Sequence, residues 1–169
     1  MTDEKKAGLP KGVLIRYQLL PGDIGYLIWL HGMVYSREYG WDHTFELYVS
    51  APLTEFAKNI TDRERIWIVD REGTVGGSIA IVKGPGDSAQ LRWFLLHPDL
   101  RGQGLGKILM EEALGFCREK GYRSVFLWTE ARLLAAAALY RRFGFRLSEE
   151  RAGRLWGTIA TEQRFDLDL

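Results

Sequence analysis

Apolar residues recur along this chain at two spacings, and the switches between them mark out its elements. Val13–Leu20 is a short apolar run ending at Pro21-Gly22, which predicts a strand. Ile24, Leu27, Ile28, His31 and Tyr35 then fall at helical spacing behind Asp23, a residue suited to an N-cap. They predict a helix over about 24–38, broken by Gly40. Phe45, Tyr48, Val49, Leu53 and Phe56 predict a second helix over about 43–58. Arg65–Arg71 and Thr74–Lys83 read as a strand pair across Glu72-Gly73. Gln90–His97 follows another turn; its lack of strict alternation predicts a strand buried on both faces.

In the second half, Leu105, Ile108, Leu109, Ala113, Phe116 and Cys117 line one side of a helix. Glu111, Glu112, Arg118, Glu119 and Lys120 take the other, and Gly121 ends it. Ser124–Thr129 predicts a strand and Ala131–Phe143 an Ala-rich helix closed by Gly144. Phe145–Leu147 opens another strand, and Glu162–Leu169 alternates as the last. About seven strands and four helices in this order place the chain in the α+β class. Residues 1–12 read as a flexible polar tail, and 13–169 as a single domain.

Composition narrows the function more by exclusion than by assignment. With 169 residues the chain suits one domain, and its 23 basic against 22 acidic side chains argue against a nucleic-acid clamp. The single cysteine, Cys117, excludes a disulfide framework or a cysteine-built zinc site, so no metal is expected. A polar N-terminus and the lack of a long apolar run point to a cytoplasmic protein without membrane contact. The charge is uneven, however. Residues 1–100 net −2, residues 101–154 net +5, and the last fifteen net −2. A basic segment of that kind suits a small polyanion, with the earlier acids facing a cation.

The chemistry gathers at Arg101-Gly102-Gln103-Gly104-Leu105-Gly106-Lys107, between a strand and a helix. Glycines there let bare amides converge at a helix N-terminus, where the macrodipole favours a pyrophosphate. A dinucleotide fingerprint fails because its third glycine would fall at Lys107, and a Walker A loop fails on spacing. LHPDLRGQGLG instead resembles motif A of the GCN5-related N-acetyltransferases (GNAT), with Arg101, Gly104 and Gly106 at its Arg/Gln-x-x-Gly-x-Gly/Ala core. Leu139–Phe145 (LYRRFGF) resembles the family's tyrosine-bearing second motif. The stretch from Asp23 to Glu46 is similar to GNAT domains of bacterial MarR–GNAT fusion regulators. The chain has no room for their winged helix, so a stand-alone enzyme or a fragment is expected.

The resemblance implies a mostly antiparallel mixed sheet, splayed between the fourth and fifth strands, and acetyl transfer from acetyl-CoA to a small-molecule or peptide amine. Backbone of Leu95, Leu96 and His97 would pair with pantetheine, with an N–H near Leu96 polarising the thioester. Arg101, Gly102, Gln103, Gly104, Leu105, Gly106 and Lys107 would hold the diphosphate, and Tyr140 would protonate the CoA thiolate. Tyr35, Glu38, Tyr39, Trp41 and Glu46 would line the amine site. Two positions depart from the family. Leu133 stands where many members carry Asn, and the fourth strand has Gln90 and Arg92 where many carry a glutamate base. Glu38, Glu46, Glu130 and His31 are the substitute candidates for that base. Loss of the strand acid leaves a non-catalytic acyl-CoA sensor as the alternative function, and the family allows a homodimer.

Overall fold

A computed structural model describes residues 8–169, so the proposed tail lies outside the described residues as far as residue 7. At its near end, Leu9 packs on the core, and the Gly12 carbonyl accepts the Glu72 amide. The elements run β1 (Val13–Arg16), α1 (Asp23–Tyr39), α2 (Thr44–Asn59), β2 (Arg65–Arg71), β3 (Thr74–Lys83) and β4 (Ser88–Leu96). After a short 3-10 turn at Pro98–Leu100 follow α3 (Leu105–Glu119), β5 (Ser124–Glu130), α4 (Leu134–Arg142), β6 (Arg146–Leu155) and β7 (Thr158–Asp168). The seven strands form one sheet in the order β1-β2-β3-β4-β5-β7-β6, antiparallel except at β4–β5. Helices cover both faces. Leu105, Leu109, Ala113 and Phe116 of α3 pack with Trp67, Val69 and Ile79 on one side; Leu27, Phe45, Val49 and Leu53 of α1 and α2 pack with Ile66, Ile68 and Ala80 on the other.

Several boundaries differ from the sequence expectation, each for a local reason. β1 stops at Arg16 because that side chain leaves the ladder to bind two carboxylates, Asp23 at 2.7 and 2.8 Å and Asp70 at 3.2 Å. Asp23 is therefore not the N-cap of α1. It is the first helical residue, and Gly22 in the left-handed region takes the cap position. Burial alone would raise the Asp23 carboxyl, but hydrogen bonds from Arg16 and the Leu20 amide prevail and hold it below the usual range. α4 starts at Leu134 rather than Ala131, because the buried Glu130 carboxylate accepts from the Arg132 and Thr161 amides and holds the chain in a turn.

β6 and β7 extend far beyond the predicted segments and meet at a two-residue turn, Trp156-Gly157, with φ of 51° and 78°. Positive φ at both central residues matches the twist of a tight hairpin. A side chain on Gly157 would also collide with the Asp42 carboxylate. β6 is exposed over nearly its whole length and carries no apolar alternation, which hides it from pattern reading.

The main irregularity lies in β4. Buried and half-buried residues alternate strictly along it, yet the buried ones lie on both faces: Ala89 and Leu91 pack on the α3 side, Trp93 and Leu95 on the α1–α2 side. Its apolar pattern is out of phase because one extra residue is inserted: Ala80 pairs with Arg92 and Ser78 with Leu95, leaving Trp93 and Phe94 opposite Ile79 alone. Trp93 sits at φ 46°, and its carbonyl accepts a 2.6 Å hydrogen bond from the fully buried Ser78 hydroxyl. Such a bulge bends a strand and increases its twist. Beyond it, Trp93 packs with α2 while Phe94 packs with the α3 side. β4 and β5 pair only from Ser88–Ser124 to Gln90–Phe126 and then part.

Ser78→Ala removes the hydroxyl donor to the buried Trp93 carbonyl, and is expected to cost about 1–3 kcal/mol. A lower denaturant midpoint at unchanged slope checks this; no change in midpoint removes the role. On α1, burial depresses the His31 imidazole to about 4, the Leu27 carbonyl bonded to Nδ1 at 2.7 Å opposing only in part. The unfolded chain therefore takes up a proton near pH 6.5 that the folded chain excludes. Stability should fall by about 2–4 kcal/mol as pH drops from about 6.5 to about 4. Denaturant titrations across that range should be flatter for His31→Gln; parallel profiles would refute the assignment.

Candidate functional site

Where β4 and β5 part, a cleft of about 110 Å³ passes between them. Gln90–Phe94 form one edge and Leu127–Glu130 the other. Tyr140 and Ala136 of α4 line it from the α3–α4 side. His31, Tyr35, Trp41, Phe45, Tyr48 and the hairpin-tip Trp156 line it from the α1–α2 side. Two reactants can thus approach one point from opposite faces of the sheet. Trp156 reaches the cleft because the Asp42 amide donates to its carbonyl at 2.9 Å, and its ring lies 4.4 Å from Trp41.

Peptide groups alternate along a strand, so the β3–β4 pairing decides what the open edge presents. The His97 amide donates to Gly76 at 2.7 Å, and the Leu95 carbonyl lies against Gly77. Leu96, between them, therefore directs its peptide groups into the slot. Its carbonyl accepts from Arg101 Nε at 3.1 Å. Of Leu95, Leu96 and His97, only Leu96 offers its amide to the gap; the His97 ring instead accepts the Asp99 amide at 3.2 Å.

The glycine turn follows directly. Gly102 and Gly104 adopt φ of 72° and 81°, and no atom lies within 4 Å of where their side chains would be. They are glycines for conformation, and the space above them is open. Gly106 differs from them: its φ is not positive, and a Cβ there would lie 3.4 Å from Leu139 of α4. α3 has neither a side-chain cap nor an acidic residue in its first turn, and its first amide paired within the helix is that of Ile108. The Leu105, Gly106 and Lys107 amides are left facing outward. Gln103 donates to the Asp99 carbonyl and Lys107 pairs with Glu111 at 3.6 Å.

Tyr140 is 5% exposed, lines the cleft, and its hydroxyl has no hydrogen-bond partner among the described residues. Burial, with Tyr35 nearby, pushes its pKa well above the ordinary value, so it is a phenol at any working pH. The residues expected to receive an amine are divided. Tyr35 and Trp41 line the cleft, stacked 4.8 Å apart. Tyr39 packs behind them against Trp41, and Glu38 is held by Arg101 at 2.6 Å. Glu46 is exposed and lies over Gly32, outside the cleft. Of the candidate bases, Glu130 is tied to Arg132 at 3.1 Å and to backbone amides, and His31 is a weak base as described.

Sequence reasoning missed Arg92, Tyr48, Trp156 and Glu162 as cleft residues. Tyr48 counted only as an apolar helix position. Arg92 carried a signal, a lone cation inside an apolar strand. Trp156 sits at the tip of a hairpin that the sequence pattern does not outline, and Glu162, within the expected last strand, carried no sign of the cleft. The Glu162 carboxylate has no hydrogen bond or ion pair with a described residue, and burial raises it against the opposing charge of Arg151. Among the described residues no cluster of His, Cys, Asp or Glu could hold a metal ion, and no helix is long and apolar enough to cross a membrane.

Known proteins share this arrangement. An uncharacterised N-acetyltransferase of Schizosaccharomyces pombe is 33% identical over 119 residues, 68% of this chain and 72% of that protein. The uncharacterised N-acetyltransferase YjgM of Escherichia coli is 40% identical over 82 residues, 47% of this chain and 49% of that protein. The Salmonella typhimurium protein yncA, described as an acetyltransferase and solved with acetyl-CoA, shares the fold with a TM-score of 0.74 over 94% of each chain, at 15% identity. The acetyltransferase (GNAT) family model matches residues 31–145. That match runs from within α1 through the splayed strands and the glycine turn to the end of the Tyr140 helix, and this chain belongs to the acetyltransferase (GNAT) family.

Proposed function

We propose that the chain transfers the acetyl group of acetyl-CoA to a primary amine by direct attack. The observation that carries this reading is the slot between β4 and β5, with the Leu96 amide directed into it and the unpartnered Tyr140 hydroxyl on its wall. Pantetheine amides take the place of a neighbouring strand along Leu95–His97. The diphosphate rests on the Gly102–Lys107 turn, where open glycines and outward amides suit an anion. The amine, from the α1–α2 side, forms an N–C bond to the thioester carbonyl carbon while the Leu96 N–H stabilises the developing oxyanion. Glu162 takes the amine proton; its raised carboxyl makes it a better base than an ordinary surface glutamate. The C–S bond then breaks, and Tyr140 gives its proton to the departing thiolate.

Release of free CoA thiol across a panel of primary amines tests the reaction. Amine-dependent release is expected. Tyr140→Phe should lower kcat by about 100-fold or more with little change in acetyl-CoA affinity. Tight acetyl-CoA binding with no amine-dependent turnover would favour the sensor function instead.

Replacing Arg101 and Lys107 together by Ala should weaken acetyl-CoA binding by about 10-fold or more, since charge-assisted contacts to an anion are lost. The same change at Arg118 and Lys120, in the last turn of α3 and just beyond it, should have little effect. Isothermal titration with acetyl-CoA measures both. Equal losses in the two pairs would dismiss the glycine turn as the diphosphate site.

A further inference from the structure

On the α1–α2 side of the cleft, the walls carry opposite charges that do not meet. Arg92 projects from β4 just before the bulge and Glu162 from β7 across the slot. No ion pair joins them, and Arg92 has no hydrogen bond or carboxylate partner among the described residues. Its guanidinium lies 5.0 Å from the Trp93 ring. Tyr48 lines the same cleft; burial raises its hydroxyl above the ordinary value, the charge of Arg92 lowers it and that of Glu162 raises it. A second unsatisfied donor belongs to the same cleft. The Trp41 side chain lines the same cleft at 3% exposure, and its Nε1–H is buried without an acceptor among the described residues. Tyr35, Phe45 and Trp156 complete an apolar wall.

A half-buried cation without a counter-ion is costly, and so is a buried N–H without an acceptor. A ligand anion in the cleft would answer Arg92. A simple monoamine supplies none, and a polyamine would set a second cation against Arg92. A carboxylate near the amine answers Arg92, while the amine faces Glu162. Arg is suited to that recognition because its planar fork matches a carboxylate.

We infer that the acceptor is an amino-carboxylate, a free α-amino acid with an apolar side chain, whose carboxylate is bound by Arg92 while its amine lies between Glu162 and the thioester. This inference rests on the acetyl-transfer reading and adds the substrate class to it. Arg92 is then a specificity-determining residue, and the aromatic wall receives the side chain.

The test compares phenylalanine, phenylalaninamide and phenethylamine, and likewise leucine, leucinamide and isoamylamine, by free CoA release from acetyl-CoA. The amino acids should exceed their carboxamides and decarboxylated amines by about 10- to 100-fold in kcat/KM, the range expected of one charge-assisted pair. Arg92→Gln should remove that preference through KM, raising it far more for the amino acids than for their carboxamides. Equal turnover of all three members in the wild-type protein overturns the inference while the acetyl-transfer reading stands. A uniform loss with Arg92→Gln, a merely structural effect, also overturns it. Should no amine release CoA, the acetyl-transfer reading fails, and tryptophan fluorescence of the CoA-loaded protein decides separately. Phenylalanine binding at least tenfold tighter than phenylalaninamide, and lost in Arg92→Gln, supports the carboxylate site; no such preference overturns it. The wild-type comparisons decide even if Arg92→Gln does not fold.

Discussion

The hydrogen bond from Ser78 to the Trp93 carbonyl is the interaction on which the rest of the molecule depends. A non-glycine residue at positive φ carries strain on the order of 1–3 kcal/mol, and persists only where its surroundings over-determine it. Here Ser78 fixes the peptide, and the indole packs 5.3 Å from Phe56. The inserted residue bends β4 away from β5, so a parallel pair that begins in register ends as an open slot. It also puts Arg92 and Trp93, consecutive in the chain, against the same cleft. A regular β4 would have continued the ladder and closed the slot.

Electrostatics divides differently from the bulk charge count. The basic middle of the chain does contain the glycine turn with its outward amides, but Arg101 also reaches Glu38 at 2.6 Å, joining that turn to α1. The acids of the first hundred residues do not face an amine, since Glu38 is neutralised and Glu46 lies outside. The free carboxylate in the cleft, Glu162, comes from the last segment. Segment sums cannot anticipate this, because β7 is inserted beside β5, far from its sequence neighbours.

Much of the fold was legible because its elements are strongly patterned. α3 shows an uninterrupted apolar stripe, and β2 and β3 are apolar runs around a Glu-Gly turn. The glycine turn was legible because its chemistry demands particular residues at fixed spacing. What escaped did so for physical reasons. A bulge moves the buried positions of β4 from one face to the other, so no single-face alternation runs its length. The exposed β6 has no apolar face to betray it. Asp23 looks like a cap until Arg16, seven residues away, is seen to claim its carboxylate. Glu162 and Trp156 became visible only when the hairpin had folded back over α1 and α2.

That hairpin sets a length scale for the pocket. Trp156 is carried at the end of a two-stranded arm, and antiparallel strands advance about 3.4 Å per residue. Removing two residues from each of β6 and β7 would keep every side chain on its own face and draw the tip back by about 7 Å. Removing one from each would turn the faces over. The reach of this wall can therefore change only in coarse steps, so relatives differing in arm length would divide into discrete pocket depths rather than a continuum. The depth of the cleft in such a lineage would be set by counting residue pairs in a hairpin, with the sheet and the glycine turn left untouched.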